Sequence, residues 1–301
     1  MNKSNYHDPV LLQPSVAALI TDPDGVYVDA TFGGGGHSQE ILNQLSPEGR
    51  LYAFDQDQDA LENALSDDRF TLIEANFRDL KRYLKLYGVK EVTGILADFG
   101  VSSHQFDAEG RGFSIRFDGP LDMRMDQEAV LDAKKIINEY SVQALADLFQ
   151  LYGELRGAYR VAEHIVASRE EAPIITTQAL IAVVKPLVPE RYLNKTLAQL
   201  FQAIRIEVNQ ELAVIKSFLE QSVEVLHQNG RLVCISYHSL EDRLVKNIIR
   251  EGVVEGKAEE DFFGNRNCPL KKVGKLIVPE ANEIKRNNRA RSAKLRIAEK
   301  Q

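Results

Sequence analysis

Only two of the 301 residues are cysteine, Cys234 and Cys268. That is too few for a disulfide framework or a four-ligand zinc site, and the expected setting is a reducing one, the cytoplasm. Long apolar runs are missing as well. None approaches the ~18 residues of a membrane span, and the opening stretch Met1-Asn2-Lys3-Ser4-Asn5-Tyr6-His7-Asp8-Pro9 has no apolar signal core, so neither export nor insertion is expected. No period of about 20 to 50 residues repeats, and the only biased stretch is a basic tail. An excess of positive charge is also lacking. Lysine and arginine number 37 against 44 aspartate and glutamate, a net of −7, which excludes an all-over basic, histone-like surface but not a local patch. What remains is an ordinary soluble composition, 44% hydrophobic and 27% charged. At roughly 100 to 200 residues per domain its length points to two domains.

Four short β-rich runs alternate with helical patterns in the first third of the chain. Val26 to Phe32 ends in four glycines and leads into a helix from Ser38 to Leu45. Leu51 to Asp55 precedes a polar helix from Gln58 to Leu65, Arg69 to Phe77 precedes a helix from Leu80 to Tyr87, and Val92 to Asp98 closes the series. Such alternation predicts an α/β fold, a parallel sheet covered on both faces. The fifth strand, Arg231 to Tyr237, comes much later, after the turn Asn229-Gly230. Before it runs an amphipathic helix with Val208, Leu212, Ile215, Leu219, Val223 and Leu226 on one face. A crossover needs only about a dozen residues. The surplus, residues 109–207, is therefore expected to be an inserted helical domain, with 1–108 and 208–301 forming the discontinuous main domain. Helical patterns inside it run from Leu131 to Leu151, Arg156 to Ser168, Thr176 to Lys185 and Asn194 to Ile206. Beyond the fifth strand a helix from Leu240 to Ile249 is followed by two short runs, Lys275 to Val278 and Ala293 to Ile297, expected to pair as an antiparallel edge hairpin.

The glycine turn after the first strand, Gly33-Gly34-Gly35-Gly36, lies where a doubly wound sheet binds a nucleotide. A tight strand-to-helix turn without a ligand would use glycine too. Asp55 weighs for the ligand: it ends the second strand 22 residues past Gly33, close to the ~20 expected of a carboxylate that binds ribose hydroxyls. A dinucleotide fingerprint would require a third glycine where Ser38 stands, and Asp29 before the turn would repel a pyrophosphate. An aspartate there suits a ligand with positive charge, such as S-adenosylmethionine. Asp98-Phe99-Gly100 imitates a kinase magnesium motif, but neither a His-Arg-Asp loop nor a Val-Ala-Ile-Lys strand accompanies it.

Seven segments together are more specific: Phe32-Gly33-Gly34-Gly35-Gly36-His37-Ser38, Asp98-Phe99-Gly100-Val101-Ser102-Ser103, Arg111-Gly112-Phe113-Ser114, Asp118 to Asp126, Phe201 to Asn209, Ser236-Tyr237-His238-Ser239-Leu240-Glu241-Asp242-Arg243 and Arg289 to Arg296. In this order, over nearly the whole length, the chain closely resembles the bacterial small-subunit ribosomal RNA cytosine-N4 methyltransferase family. The resemblance implies a class I methyltransferase fold, a doubly wound, mostly parallel sheet with an inserted α-helical domain. It also implies the cofactor S-adenosylmethionine and methylation of a cytidine amine in the decoding region. By motif, Gly34, Gly35, Gly36 and His37 would hold the methionine end of the cofactor, Asp55 the ribose, Phe77 the adenine side, and Asp98 and Gln105 the rest of the pocket. Gly34, His104 and Leu200 depart from the residues common in the family; His104 stands where proline is usual.

For chemistry, Asp98 is the expected proton acceptor. Extruding a cytidine calls for aromatic and guanidinium surfaces, and Phe113, Arg116 and Arg124 are placed there, joined by Arg205, His238, Arg243, Arg289, Arg291 and Lys294 as RNA contacts. Ser239 and Asp242 read as a helix cap, a role that leaves His238 and Arg243 for substrate. Met123 and Met125 read as core filler. Asp118, Asp122 and Asp126 are spaced like a metal cluster, but Arg124 among them favours ion pairing, and no metal is expected. The expected partner is small-subunit ribosomal RNA, in an assembled or nearly assembled subunit, with a homodimer among the possible assemblies. Competing readings are a DNA or small-molecule methyltransferase, an RNA-binding assembly factor that keeps a cofactor pocket, and an NAD oxidoreductase.

Charge divides unevenly along the chain. Residues 266–301 carry 11 basic and 3 acidic side chains, whereas residues 1–110 carry 8 and 18. Lys285, Arg286, Arg289, Arg291, Lys294 and Arg296 are thus available to phosphates. Two substitutions should separate the halves: Asp55→Ala weakens cofactor binding, while Arg291→Ala weakens RNA binding and lowers its salt slope by about one. Filter-binding titrations across a salt series check the second; unchanged affinity at every salt concentration removes the tail from the RNA surface.

Overall fold

A computed structural model describes residues 9–258 and 268–301. The opening residues 1–8 and Arg266, the first of the basic tail, lie outside the described residues. In chain order the elements are α1 (Leu12–Leu19), β1 (Val26–Asp29), α2 (Gly36–Gln44), β2 (Arg50–Asp55), α3 (Gln58–Leu61), β3 (Phe70–Glu74), α4 (Leu80–Leu86) and β4 (Val92–Asp98). Helices follow: α5 (Ser103–Asp107), α6 (Ala133–Glu139), α7 (Val142–Gly153), α8 (Ala158–Glu171), α9 (Thr177–Val184), α10 (Glu190–Asn209) and α11 (Glu211–Val225). The chain ends with β5 (Leu226–Ser236), α12 (Ser239–Glu251), β6 (Leu270–Ile277), α13 (Ala281–Arg286) and β7 (Lys294–Lys300). No helix among the described residues is long and apolar enough to cross a membrane.

Two compact units result, Met1–Gly100 with Leu212–Gln301, and Val101–Glu211. The first holds a seven-stranded sheet in the order β3-β2-β1-β4-β5-β7-β6. Strands β1 to β5 are parallel, and β7 is antiparallel to both neighbours. This is the class I methyltransferase arrangement, doubly wound and mostly parallel. Strand β1 pairs with β2 on one side and β4 on the other, Val28 lying opposite both Tyr52 and Ile95. The chain winds in opposite directions from that point, so the crevice for a ligand opens beyond the carboxyl ends of β1 and β4.

Burial explains why β4 reads as one continuous apolar run: Val92, Ile95, Leu96 and Ala97 are fully enclosed. On one face of the sheet Phe77, Phe99 and Phe218 pack edge to face or tilted, with centroids 5.2 to 6.2 Å apart. Tyr27, Leu51, Leu96, Val233 and Ile235 pack into a cluster of their own with α1 and α2.

Several boundaries differ from the sequence pattern, each for a local reason. The expected helix from Leu131 to Leu151 is two helices. Asp132 accepts the Lys135 N–H to cap α6, Tyr140 is extended, and Ser141 accepts the Ala144 N–H to cap α7. Strand β5 begins at Leu226 rather than Arg231, and its pairing with β4 shifts register between Val92 and Gly94, which absorbs the Asn229-Gly230 step. The edge hairpin forms, with β6 longer than its apolar run because Leu270 to Val273 also pair with β7. The helical unit has its own core, built on Phe113, Met123, Leu145, Phe149, Ile165, Leu180, Phe201 and Ile204.

Phe218 is wholly enclosed and touches both other rings. Phe218→Ala should therefore cost about 3 to 5 kcal/mol. Urea unfolding followed by circular dichroism measures this, and a loss under 1 kcal/mol would mean the cluster repacks without a cavity.

Candidate active site

The turn after β1 is shaped by a buried carboxylate. Asp29 is 0% exposed; its Oδ1 accepts the Thr31 N–H at 3.1 Å and its Oδ2 the Ser38 hydroxyl at 2.7 Å. Burial raises its pKa. It therefore ties the end of β1 to α2 and does not itself face a ligand. Gly33 and Gly35 have φ of 53° and 75°, backbone that glycine adopts without strain. A Cβ on Gly35 would also sit 3.0 Å from the Phe32 ring. Helix α2 starts without a side-chain cap, so the first amides of the helix are left for a ligand. The His37 ring is buried with Nε2 3.1 Å from the Val10 carbonyl, and burial lowers its pKa. The neutral ring donates to that carbonyl, and His37 has only its backbone amide to offer a cofactor.

Asp55 ends β2 on the other side of the glycines. One oxygen accepts the Gly33 N–H at 2.8 Å and the other the Asp57 N–H at 2.9 Å. Each oxygen keeps a lone pair, enough for the two hydroxyls of a ribose. Burial pushes its pKa up to about 6. Phe77 follows β3 and is half-buried, its ring held by Phe99 and Phe218. Asp98 ends β4. Its backbone N–H donates to Thr31 Oγ1 at 2.7 Å, and its Oδ1 accepts the Tyr237 hydroxyl at 2.8 Å. Burial pushes the Asp98 carboxyl up to about 8; the tyrosine bond opposes that, and Asp29 and Glu241 add to it. In the helical unit Gln105 is buried and belongs to a capping box of α5. Its Oε1 accepts the Ser102 N–H at 3.0 Å, and Ser102 Oγ accepts the Gln105 N–H at 3.2 Å.

This donor set suits S-adenosylmethionine. Two carboxyls at strand ends, one bracing a glycine turn, match a ribose diol and a neighbouring cation, whereas a pyrophosphate would meet carboxylates. Tyr237 and Thr31 were not among the residues singled out from sequence. Only the β4–β5 pairing, Asp98 opposite Ile235, brings Tyr237 to Asp98.

The RNA candidates divide. Arg116, Arg243 and Arg291 are exposed and Arg289 is half-buried. Phe113, at 4% exposure, packs in the core of the helical unit and offers no stacking face. Arg124 grips Asp122 at 2.7 and 2.9 Å and donates to the Ala129 carbonyl, the ion pairing expected of that aspartate group. Arg205 holds Glu211 with two bonds of 2.7 and 2.9 Å. Lys294 lies 3.5 Å from Asp242, which also takes two bonds from Arg296. The cap of α12 needs correction. His238, not Ser239, is its N-cap, in a box with Glu241, whose Oε2 accepts the His238 N–H at 3.3 Å. The imidazole also contacts Glu241 Oε1 at 3.0 Å, so His238 is engaged in structure. Met123 is fully enclosed, and Met125 packs on the same core.

The model of the MraW methylase family matches residues 4–301. Ribosomal RNA small subunit methyltransferase H of Flavobacterium johnsoniae is 61% identical over 295 residues, 98% of either protein. Its namesake in Christiangramia forsetii is 58% identical over 295 residues, again 98% of each, and that of Bacteroides fragilis 53% over 299 residues, 99% of this chain and 98% of the other. Among solved structures, an rRNA methylase from Streptococcus thermophilus superposes with a TM-score of 0.40 at 13% identity, covering 95% of this chain and 90% of its own.

The raised carboxyls give a pH dependence. A carboxyl with a raised folded-state pKa stabilises the fold most below its unfolded value near 4, and that contribution is lost as pH rises through the folded value. For Asp55 and Asp98 the loss runs through about 6 and about 8. The ligand-free protein should thus melt several degrees lower at pH 9 than at pH 5.5, and Asp98→Asn should shrink the upper part of that fall. Differential scanning calorimetry tests it; a midpoint that stays flat or rises over this range contradicts the buried carboxyls.

Proposed function

The chain belongs to the MraW methylase family, and from that premise we propose that it methylates the exocyclic N4 of one cytidine in the decoding region of small-subunit ribosomal RNA. Its cofactor is S-adenosylmethionine, its place of work the cytoplasm, and its substrate the assembled or nearly assembled subunit. The observation that carries the reading is the pair Asp55 and Asp98, set at the ends of β2 and β4 and tied to the same glycine turn through Gly33 and Thr31. The names of the relatives, small-subunit ribosomal RNA methyltransferases at 53 to 61% identity, support the acceptor.

The amine of cytosine is conjugated with its ring and is a weak nucleophile. In-line alignment supplies ~7 to 11 kcal/mol in favourable systems, more than the ~10²- to 10⁴-fold usual for acid or base help. Positioning therefore dominates. S-adenosylmethionine, when bound, supplies the methyl group as its carbon–sulfur bond breaks and the sulfonium becomes a thioether. Asp55 holds the ribose hydroxyls, and the amides of Gly34 to His37 take the carboxylate end. Asp98, ionised beside a cation, takes the proton that the nitrogen sheds. Arg243 and Arg291, exposed and basic, meet phosphates.

Radiolabelled methyl transfer decides among the readings. Subunits from cells lacking the protein should accept about one methyl group each, recovered as N4-methylcytidine, with naked RNA a poorer acceptor. No incorporation into RNA of either kind, with intact cofactor binding, would leave an RNA-binding assembly factor. Incorporation into DNA alone would move the acceptor.

A further inference from the structure

Asp98 is held from two directions. Its backbone is fixed by Thr31 and its Oδ1 by the Tyr237 hydroxyl, while Oδ2 has no partner among the described residues. Tyr237 is itself fixed at both ends. Its backbone N–H donates to Glu241 Oε2 at 2.7 Å, and Glu241 is wholly buried as the third residue of the α12 cap. Its ring packs on the cluster that includes Val10, Leu11, Ile235, Ala290 and Leu295. The ring also lies over Gly100, where a Cβ would come 3.6 Å from Tyr237 Cδ2. A phenol has one proton to donate, and here its direction is set by the fold before any ligand arrives.

The geometry points to Tyr237 as the positioning residue of the reaction: it holds one oxygen of Asp98 so that the other is presented to the acceptor amine, and it keeps that carboxyl ionisable. The assignment rests on the reading of Asp98 as proton acceptor. In the step concerned the nitrogen–methyl bond forms, the methyl–sulfur bond breaks, and the proton of the amine goes to Asp98 Oδ2. A carboxyl can accept that proton only when ionised. Burial opposes ionisation at Asp98, as do the neighbouring Asp29 on β1 and Glu241 on α12. Burial first, then the Asp98 carboxyl it bonds, with Glu241 and Glu283 on α13 adding, keep the proton of Tyr237 in place. The donated hydrogen bond is the one contribution from these elements that favours the carboxylate, since it is made to the charged form.

Tyr237→Phe removes the hydroxyl and keeps the ring. Two measurements on the full-length protein read the result. The acid limb of kcat/KM for methyl transfer should move up by about one to two pH units, with activity at pH 7 down about tenfold or more and recovering at higher pH. S-adenosylmethionine binding, titrated by calorimetry in buffers of different ionisation enthalpy, should release protons over a window displaced upward by the same amount. Limbs and windows that coincide in the two proteins, whatever the loss of rate, overturn the proposal. The calorimetry needs no RNA, so a wild type that methylates nothing while its proton release shifts on substitution would defeat the proposed function, and with it the part of Tyr237 in the reaction, and leave standing only the hold of Tyr237 on the Asp98 carboxyl. Should Tyr237→Phe fail to fold, Asp98→Asn gives the remaining comparison: its binding must lose the proton release in the window up to about 8 that belongs to Asp98 and keep only the part up to about 6 that belongs to Asp55, and release that persists in the upper window overturns the proposal.

Discussion

The carboxylate of Asp29 lies wholly inside the protein and is bonded to Thr31 on one side and Ser38 on the other. Most of the site hangs from those two bonds. They set the path of the chain from β1 to α2. That path puts Thr31 Oγ1 where the Asp98 N–H donates to it and the Gly33 N–H where Asp55 accepts it. Asp98 in turn receives Tyr237, whose backbone is held by the cap of α12. Residues from four strand ends are thus linked without any contributing a long flexible side chain. An isolated buried charge is costly, and hydrogen bonds from a backbone amide and a hydroxyl are what make this one tolerable.

The same links shape the electrostatics. Burial drives Asp55 and Asp98 toward the neutral form, and a cationic ligand drives them back. A cation placed beside these carboxyls favours their charged form, whereas an anion there opposes it. This gives physical content to the uneven charge count. The acidic first third of the chain includes the carboxyls at the strand ends, and from Lys271 onward the basic residues lie on β6, α13, β7 and the helical turn Asn288–Ser292 that precedes β7. The net of −7 averages an acidic first third and a basic last segment.

In the helical unit three arginines are taken up by the protein itself. Arg124 pairs with Asp122, Arg205 with Glu211, and Arg111 donates to the Arg124 carbonyl while its guanidinium lies over Phe113. An arginine that already makes two bonds to a carboxylate has little left for a phosphate. Arginine and phenylalanine near an insertion point look the same in sequence whether they contact RNA or build the unit. Arg116 stays on the surface and Phe113 does not, and the difference lies in the packing around Leu121 and Met123.

Much of this protein is legible in its residues alone. The alternation of apolar runs, the four glycines, Asp55 at its distance from Gly33 and the long gap before the fifth strand are local patterns. Local patterns suffice for the sheet, the separate helical unit and the candidate crevice at the glycine turn, because hydrophobic periodicity and glycine backbone freedom act over a few residues. Tertiary structure decided what depends on neighbours far apart in the chain. It placed Tyr237 on Asp98, 139 positions away, turned the His37 ring toward Val10, moved the α12 cap from Ser239 to His238, and enclosed Phe113. Each of these turns on which side chain lies across a strand pair or inside a packed cluster, and spacing along the chain carries no information about that.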